Sequence, residues 1–372
     1  MSSAIINTGG DRVPIRHVSV SLYRVATDFP EADGTISWNS SNLVVVEATA
    51  GDFTGLGYTY ADSATAVLIR DMLTKQVEGR NAFDIPGSWL PMVKSIRNLG
   101  RPGIASMAIS AVDNALWDLK ARILGVPLVH LLGRARESVP VYGSGGFTSY
   151  PITKLQQQLT GWVEQGISRV KMKIGADPSA DVSRVRAARE AIGPETELFV
   201  DANGAYSRKQ ALHLAEAFAE FNVSWFEEPV SSDDLEGLHL IRDRAPVRME
   251  IAAGEYGYNS LYFRRMLEAG AVDVLQADAT RCGGITGFLQ ASALCQAHHL
   301  PLSAHTAPAI HLHLGCAAIP LRHLEYFHDH VRIESLFFDG VPKPVHGALH
   351  PDLSQPGMGI EFKRADAARF AA

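Results

Sequence analysis

The chain has 372 residues, 46% of them hydrophobic, and its 34 Lys and Arg against 40 Asp and Glu give a formal net charge of −6. That apolar share excludes a disordered chain, the acidic balance without a Lys/Arg run argues against nucleic-acid or anionic-membrane partners, and no run of about 18 apolar residues offers a membrane span. Cys282, Cys295 and Cys316 fall outside any Cys-x-x-Cys pattern and Met1 to Arg12 lacks a signal-type apolar segment, so the expectation is a soluble, cytoplasmic enzyme.

The first third reads as α+β. Residues 13–24 and 42–48 are β-branched and predict strands, with a loop at 27–34 between them that carries Phe29. The turn cluster 51–55 leads into a third strand, and apolar recurrence at three and four positions predicts helices over 64–77 and 106–124. Gly125 followed by Pro127 is a stop signal for the second helix. After residue 136 short apolar runs alternate with helical stretches: 139–142, 169–174, 198–200, 223–226, 248–252, 272–275, 301–303 and 322–326. Eight strand–helix units of roughly 20–30 residues predict parallel strands closed into a barrel. An open doubly wound sheet is the competitor, but no Gly-x-Gly-x-x-Gly turn follows the first strand. The tail from 340 is rich in Pro, Gly and His; it either returns to the N-terminal part or covers the barrel.

Polar residues end successive strands, at the face where barrels place their sites. Asp201, Glu227 and Glu255 would converge from three adjacent strands. Carboxylates meeting at one point repel unless a cation sits among them, and an all-oxygen set suits Mg²⁺. Helix N-capping is the alternative for any one of them. Lys171 and Lys173 flank Met172, so both face one side of a strand; mutual repulsion would lower one pKa enough to make a neutral base, unless both lie in solvent. Asp278 and His305 end neighbouring strands and predict a dyad in which the carboxylate fixes the imidazole tautomer. His311 and His313, at i+6 and i+8 from His305, lie on no common helix face with it, which disfavours zinc. Glu325 ends the eighth strand, either as a protonated acid donating a hydrogen bond or as a surface ion pair.

With those residues in place, the chain resembles the enolase superfamily and, within it, the mandelate racemase subgroup. Lys171-x-Lys173, Asp201, Glu227, Glu255, the Asp278–His305 dyad and Glu325 carry the resemblance; muconate-lactonizing-type relatives have a lysine where Asp278 stands. It implies an α/β fold, a modified (β/α)8, TIM-type or (β/α)7β, barrel at 136–340, with an N-terminal α+β capping domain at 1–135 and a C-terminal segment at 341–372 returning to the cap. It further implies one Mg²⁺ per subunit on Asp201, Glu227 and Glu255, with Glu228 close behind. Substrate contacts would come from Ser144, Asn203 and Trp38, and the cap loops 27–38 and 52–60 would select the substrate. The partner would be a small-molecule carboxylate, with no nucleic acid or membrane, and the protein a homo-oligomer. The implied chemistry is removal of the proton next to a carboxylate through an enediolate. Lys173 and His305 would be the two bases, with Lys171 and a protonated Glu325 stabilising the charge. Dehydration of a sugar acid to a 2-keto acid is expected first, racemisation or epimerisation second. A catalytically silent barrel is the third reading, opposed by the presence of Lys173, Asp278 and His305.

Overall fold

A computed structural model describes residues 12–372; the expectation about the segment from Met1 lies almost wholly outside them. The chain begins with an antiparallel sheet of β1 (His17–Ala32), β2 (Ser37–Ala50) and β3 (Phe53–Thr59). The loop expected at 27–34 is instead mostly the outer arm of the β1–β2 hairpin: pairing breaks after Ala26 and resumes with Glu31 opposite Trp38. Asp28 and Pro30 read as loop residues, yet both fall within the break, where no ladder hydrogen bond is needed from a proline. The turn itself is held by Asp33, whose Oδ1 accepts from the backbone N–H groups of Thr35 (2.6 Å) and Ile36 (2.8 Å).

The helical stretch at 64–77 is continuous but contains a wide π turn at Ile69–Leu73. Helix Ile85–Ser95 escapes the periodicity reading because Pro86 and Pro91 mask it; Pro86 lies in the first turn, where its missing N–H costs nothing. The long helix Ile104–Leu124 ends at Gly125 with φ 66°, as the stop signal predicts. It rests directly on β3, because a Cβ on Gly55 or Gly57 would meet the carbonyls of Ala115 or Ala111 at 2.2 Å.

The eight runs become β4 (Val139–Gly145), β5 (Arg169–Lys173), β6 (Glu197–Asp201), β7 (Val223–Glu227), β8 (Glu250–Ala253), β9 (Val274–Ala277), β10 (Leu302–Ala304) and β11 (Leu321–Phe327). Neighbours pair in parallel and β11 pairs with β4, which closes the barrel. Side chains alternate as pleating requires: Val170, Met172, Leu198 and Val200 join the core under the helices, while Lys171, Phe199 and Asp201 face inward. The eighth helix, His328–Phe337, is drawn to the cap. Its Glu334 accepts from the Tyr58 hydroxyl at 2.5 Å and its His330 stacks on Tyr60 at 3.4 Å.

Cap and barrel are joined by a capping arrangement supplied across the seam. Helix Gly284–Ala297 has no side-chain cap of its own. Its first N–H groups are taken by the long cap helix: Ser110 Oγ accepts from Gly283 and Gly284, Asn114 Oδ1 from Ile285, and Asp113 Oδ2 from Thr286, at 2.8–3.0 Å. Past residue 340 the chain adds Ala348–Leu349 antiparallel to β4 and then crosses to the cap. There Met358 N–H donates to Asp118 (2.6 Å), Arg364 pairs with Glu47, and Ala372 N–H donates to Leu22 (3.1 Å). Among the described residues no helix is long and apolar enough to cross a membrane.

Candidate active site

Strand register brings the acids together. Lys173 is paired with Asp201 and Asp201 with Glu227, so three inward side chains stand at one level. Glu255 follows the end of β8. Carboxylate oxygens of Asp201, Glu227 and Glu255 lie within 4.8 Å of one another, all buried. Several turns leaving this rim are left-handed at non-glycine residues: Asn203 (φ 46°), Glu228 (39°), Thr306 (52°) and Ala307 (39°). Such backbone costs roughly 1–3 kcal/mol a residue and collects at functional sites.

Countercharge is dense. Lys171 Nζ lies 2.6 Å from Glu227, 2.9 Å from Glu325 and 3.3 Å from Asp201. Lys173 Nζ donates to Asp201 (2.5 Å) and Asn203 Oδ1 (3.0 Å). His305 Nδ1 is 2.8 Å from Asp278 and Nε2 is 3.0 Å from Glu255, which is the dyad geometry the strand ends suggest. His311 is turned elsewhere: Nε2 accepts from Ala279 N–H (2.8 Å), which assigns the proton to Nδ1, facing Thr306 O (2.7 Å). His313 reaches Met358 O.

Local charge runs against two expectations about protonation, a neutral lysine and a protonated Glu325, and along with a third, a more basic His305. Burial alone would lower the lysines, but Glu227 and Glu325 raise Lys171, and Asp201 outweighs Lys171 in raising Lys173, so their basicity is set largely by carboxylates that could also hold a cation. Burial would raise Glu325, yet Lys171 and His305 draw it below the usual carboxylate value, so it is ionised. Burial would lower His305, but Glu255, Glu325 and the Asp278 bond push it up to about 9. Opposite charges buried together hold one another, the carboxylates raising the lysines and His305 while Lys171 and His305 lower Glu325.

The site opens into a cavity of ≈ 350 Å³ between barrel and cap. Lys173, Asn203, Glu255, His305 and Glu325 line it from below; Asp33, Trp38, Asn42, Tyr60 and Asp62 line it from the cap. Ser144 is not on this wall. It is fully buried and donates to Glu325 at 2.5 Å, so it supports that carboxylate from behind, contrary to the expected substrate contact. Nor do the cap segments both behave as loops. The arm around Asp33 and Trp38 reaches the cavity, but 53–59 is strand β3, and only its end at Tyr60 to Asp62 arrives, while Asp52 lines a separate hollow with Glu47, Arg122 and Arg364.

Arg281 is a residue the sequence reading missed. It lies 3.5 Å from Glu255 and 3.6 Å from Asp278 and lines the cavity. The available signal was its place three residues after Asp278, in the turn closed by Arg281 N–H to Asp278 O.

The donor set fits a hard divalent cation. It is all oxygen, and it sits beside buried carboxylate oxygens, Glu228 Oε1 and Glu325 Oε2, that have no hydrogen-bond partner. Burial first, then the charges of Glu255, Asp201 and Glu227, push the Glu228 carboxyl well up, as a fourth acid beside a cluster of three must be.

A closed eight-stranded barrel with acids, lysines and a His–Asp pair at its carboxyl rim, roofed by an α+β cap, defines a class of capped barrel protein with a candidate metal site at the mouth. Comparison makes this specific. Residues 17–133 match the mandelate racemase/muconate lactonizing enzyme N-terminal domain, and residues 154–367 match the enolase C-terminal domain-like family. The chain belongs to the enolase superfamily, in its mandelate racemase subgroup. It is 34% identical over 331 residues to the L-talarate/galactarate dehydratase of Salmonella typhimurium, covering 86% of this chain and 82% of that one. Other relatives are named as dehydratases and cycloisomerases. A mandelate racemase/muconate lactonizing enzyme-like protein from Rubrobacter xylanophilus superposes with TM-score 0.95 at 54% identity, over 96% of this chain and 100% of that one. A racemase from Streptomyces coelicolor with bound magnesium gives 0.91 at 31% identity over the same shares.

Proposed function

We propose that the chain is a Mg²⁺-dependent dehydratase of sugar acids, acting on a carboxylate with hydroxyls on the next two carbons. The observation that carries this reading is Lys173 and the His305–Asp278 dyad set three strands apart around the ring, facing one cavity above a three-carboxylate cluster. Asp201, Glu227 and Glu255 would hold the ion, which supplies Lewis-acid stabilisation of the substrate carboxylate when bound. It would also replace the lysines and His305 as partner of those carboxylates.

The remaining work falls to the chain's own side chains. Asn203 holds Lys173 Nζ at the wall of the cavity, and Asp278 holds His305 with Nε2 turned inward. One of the two takes the proton from the carbon beside the carboxylate. His305 gives a proton to the hydroxyl leaving the next carbon, water departs, and the enol rearranges to a 2-keto acid. Lys171, held by Glu325 with Ser144 behind that carboxylate, donates a hydrogen bond where charge grows. The Asp33 and Asn42 side chains and the Tyr60 ring on the cap wall suit a hydroxylated chain. A second carboxylate at the far end would meet Asp33 and Asp62, which favours monoacids over diacids.

The test is an assay of purified protein with Mg²⁺ against sugar mono- and diacids, read as 2-keto acid, with monoacids expected to turn over faster. Exchange of the α-proton in D₂O without keto-acid release would replace dehydration by racemisation or epimerisation on the same residues. Neither product nor exchange would end the proposal. Glu255→Gln should weaken Mg²⁺ binding by at least about tenfold, since even partners behind the ligands contribute 10–100-fold; calorimetry with unchanged affinity would exclude Glu255 as a ligand.

A further inference from the structure

We infer that Asp28, Glu31 and His328 form a second divalent-cation site that fastens the β1–β2 arm of the cap to the barrel. An oxygen from each carboxylate and a ring nitrogen of His328 lie within 4.8 Å of one another. His328 Nε2 and Asp28 Oδ2 are hydrogen-bonded at 3.0 Å, a few tenths of an ångström short of the roughly 3.3–3.6 Å between tetrahedral ligands on bonds of about 2.0–2.2 Å. Asp28 and Glu31 belong to the arm, whereas His328 follows β11 and opens the eighth helix.

The independent sign of a missing ligand is Glu31. It is 1% exposed, and its Oε2 takes the Trp38 indole N–H at 2.8 Å. Its other oxygen, Oε1, is buried with no hydrogen-bond partner. A buried carboxylate oxygen left without a donor costs about 1–3 kcal/mol or more, so an unmet partner is expected there. Arg332 spends its Nη2 on Asp329 and on the carbonyl of Ala26 and makes no bond to Glu31. Asp28 and His328 are partly open to solvent, which gives an ion a way in and leaves coordination positions for water.

Two carboxylates and one imidazole suit a borderline first-row ion such as Zn²⁺ or Co²⁺ better than Mg²⁺, which prefers oxygen alone. Because Glu31 holds Trp38, and Phe327 beside His328 also lines the cavity, occupancy would fix the arm over the substrate space. The site stands independently of the proposed reaction.

The experiment is a Co²⁺ titration of chelator-treated full-length protein, read by visible absorption and by equivalents bound. Wild type should bind one more equivalent than Glu31→Gln, His328→Asn or Asp28→Asn, and Zn²⁺ should raise the melting temperature of wild type only. Asp28 is exposed, so Asp28→Asn tests the site even if the other variants fold poorly. Equal stoichiometry and equal Zn²⁺ response in wild type and Asp28→Asn would overturn the site.

Discussion

The barrel interior has two levels, and they differ in every respect except the strands that build them. The lower is a mostly apolar plug of Tyr142, Phe199, Trp225, Ala252 and Val274, with Phe199 and Trp225 stacked at 5.2 Å and the His323 ring against both. The upper holds Lys173, Asp201, Glu227, Glu255, His305 and Glu325. Phe199 and Asp201, or Trp225 and Glu227, are two residues apart, a rise of about 6–7 Å. That step takes the barrel from hydrocarbon to ions. The plug denies water to the floor of the site, so the charges above interact strongly with one another. Several bonds cross the levels: Trp225 Nε1 donates to Glu227 Oε2 at 3.0 Å, and Lys171, in register with Phe199, reaches up to Glu227 at 2.6 Å and Glu325 at 2.9 Å.

The division can be broken from either side. Lys173→Ala and His305→Asn remove charge from the upper level and should each reduce turnover by about 10²–10⁴-fold with the fold retained. Full activity in either variant, with a native circular-dichroism spectrum, would remove the two-base mechanism. Phe199→Ala opens the plug and should lose about 3–5 kcal/mol of stability in urea unfolding. A loss well below that would mean the lower level is not a packed floor.

A gentler perturbation lies outside the barrel, in the seam where Asp113 caps the helix that starts at Gly284. Burial outweighs its bonds to Thr286 and pushes Asp113 up to about 7. The folded chain therefore keeps a proton that the unfolded chain releases near pH 4. The stability this proton contributes is complete below that value and is lost as pH rises to about 7. Asp113→Asn should flatten this slope; unfolding midpoints at about pH 5 and about pH 8 that differ equally in both proteins would contradict it. Asp113→Ala should cost about 1 kcal/mol as a lost cap, the smallest effect of the set.

Most of the barrel and the members of its charged rim were legible in sequence because both obey local rules. A parallel strand buried on both faces is a short apolar run, and Phe-Val-Asp or Trp-Phe-Glu marks its end with the one polar group a barrel mouth tolerates. Where local rules conflict with tertiary context, the reading failed. Asp28 and Pro30 look like loop residues and sit in the break of a long hairpin arm. Ser144, in a glycine-rich stretch, resembles a ligand contact and is a buried support. Arg281 carries no motif at all.

The amino-acid order alone determined the alternation that makes a closed barrel and the identities of the groups at its rim, because periodicity and residue chemistry are carried by neighbours along the chain. Only the tertiary structure decided how those groups bias one another's protonation, since carboxylates from other strands raise Lys171, Lys173 and His305, and Lys171 and His305 in turn lower Glu325. It also decided where the ring closes and where the cap touches it, because β11 meets β4 across about 180 positions of chain and Asp28 of the arm meets His328 across 300.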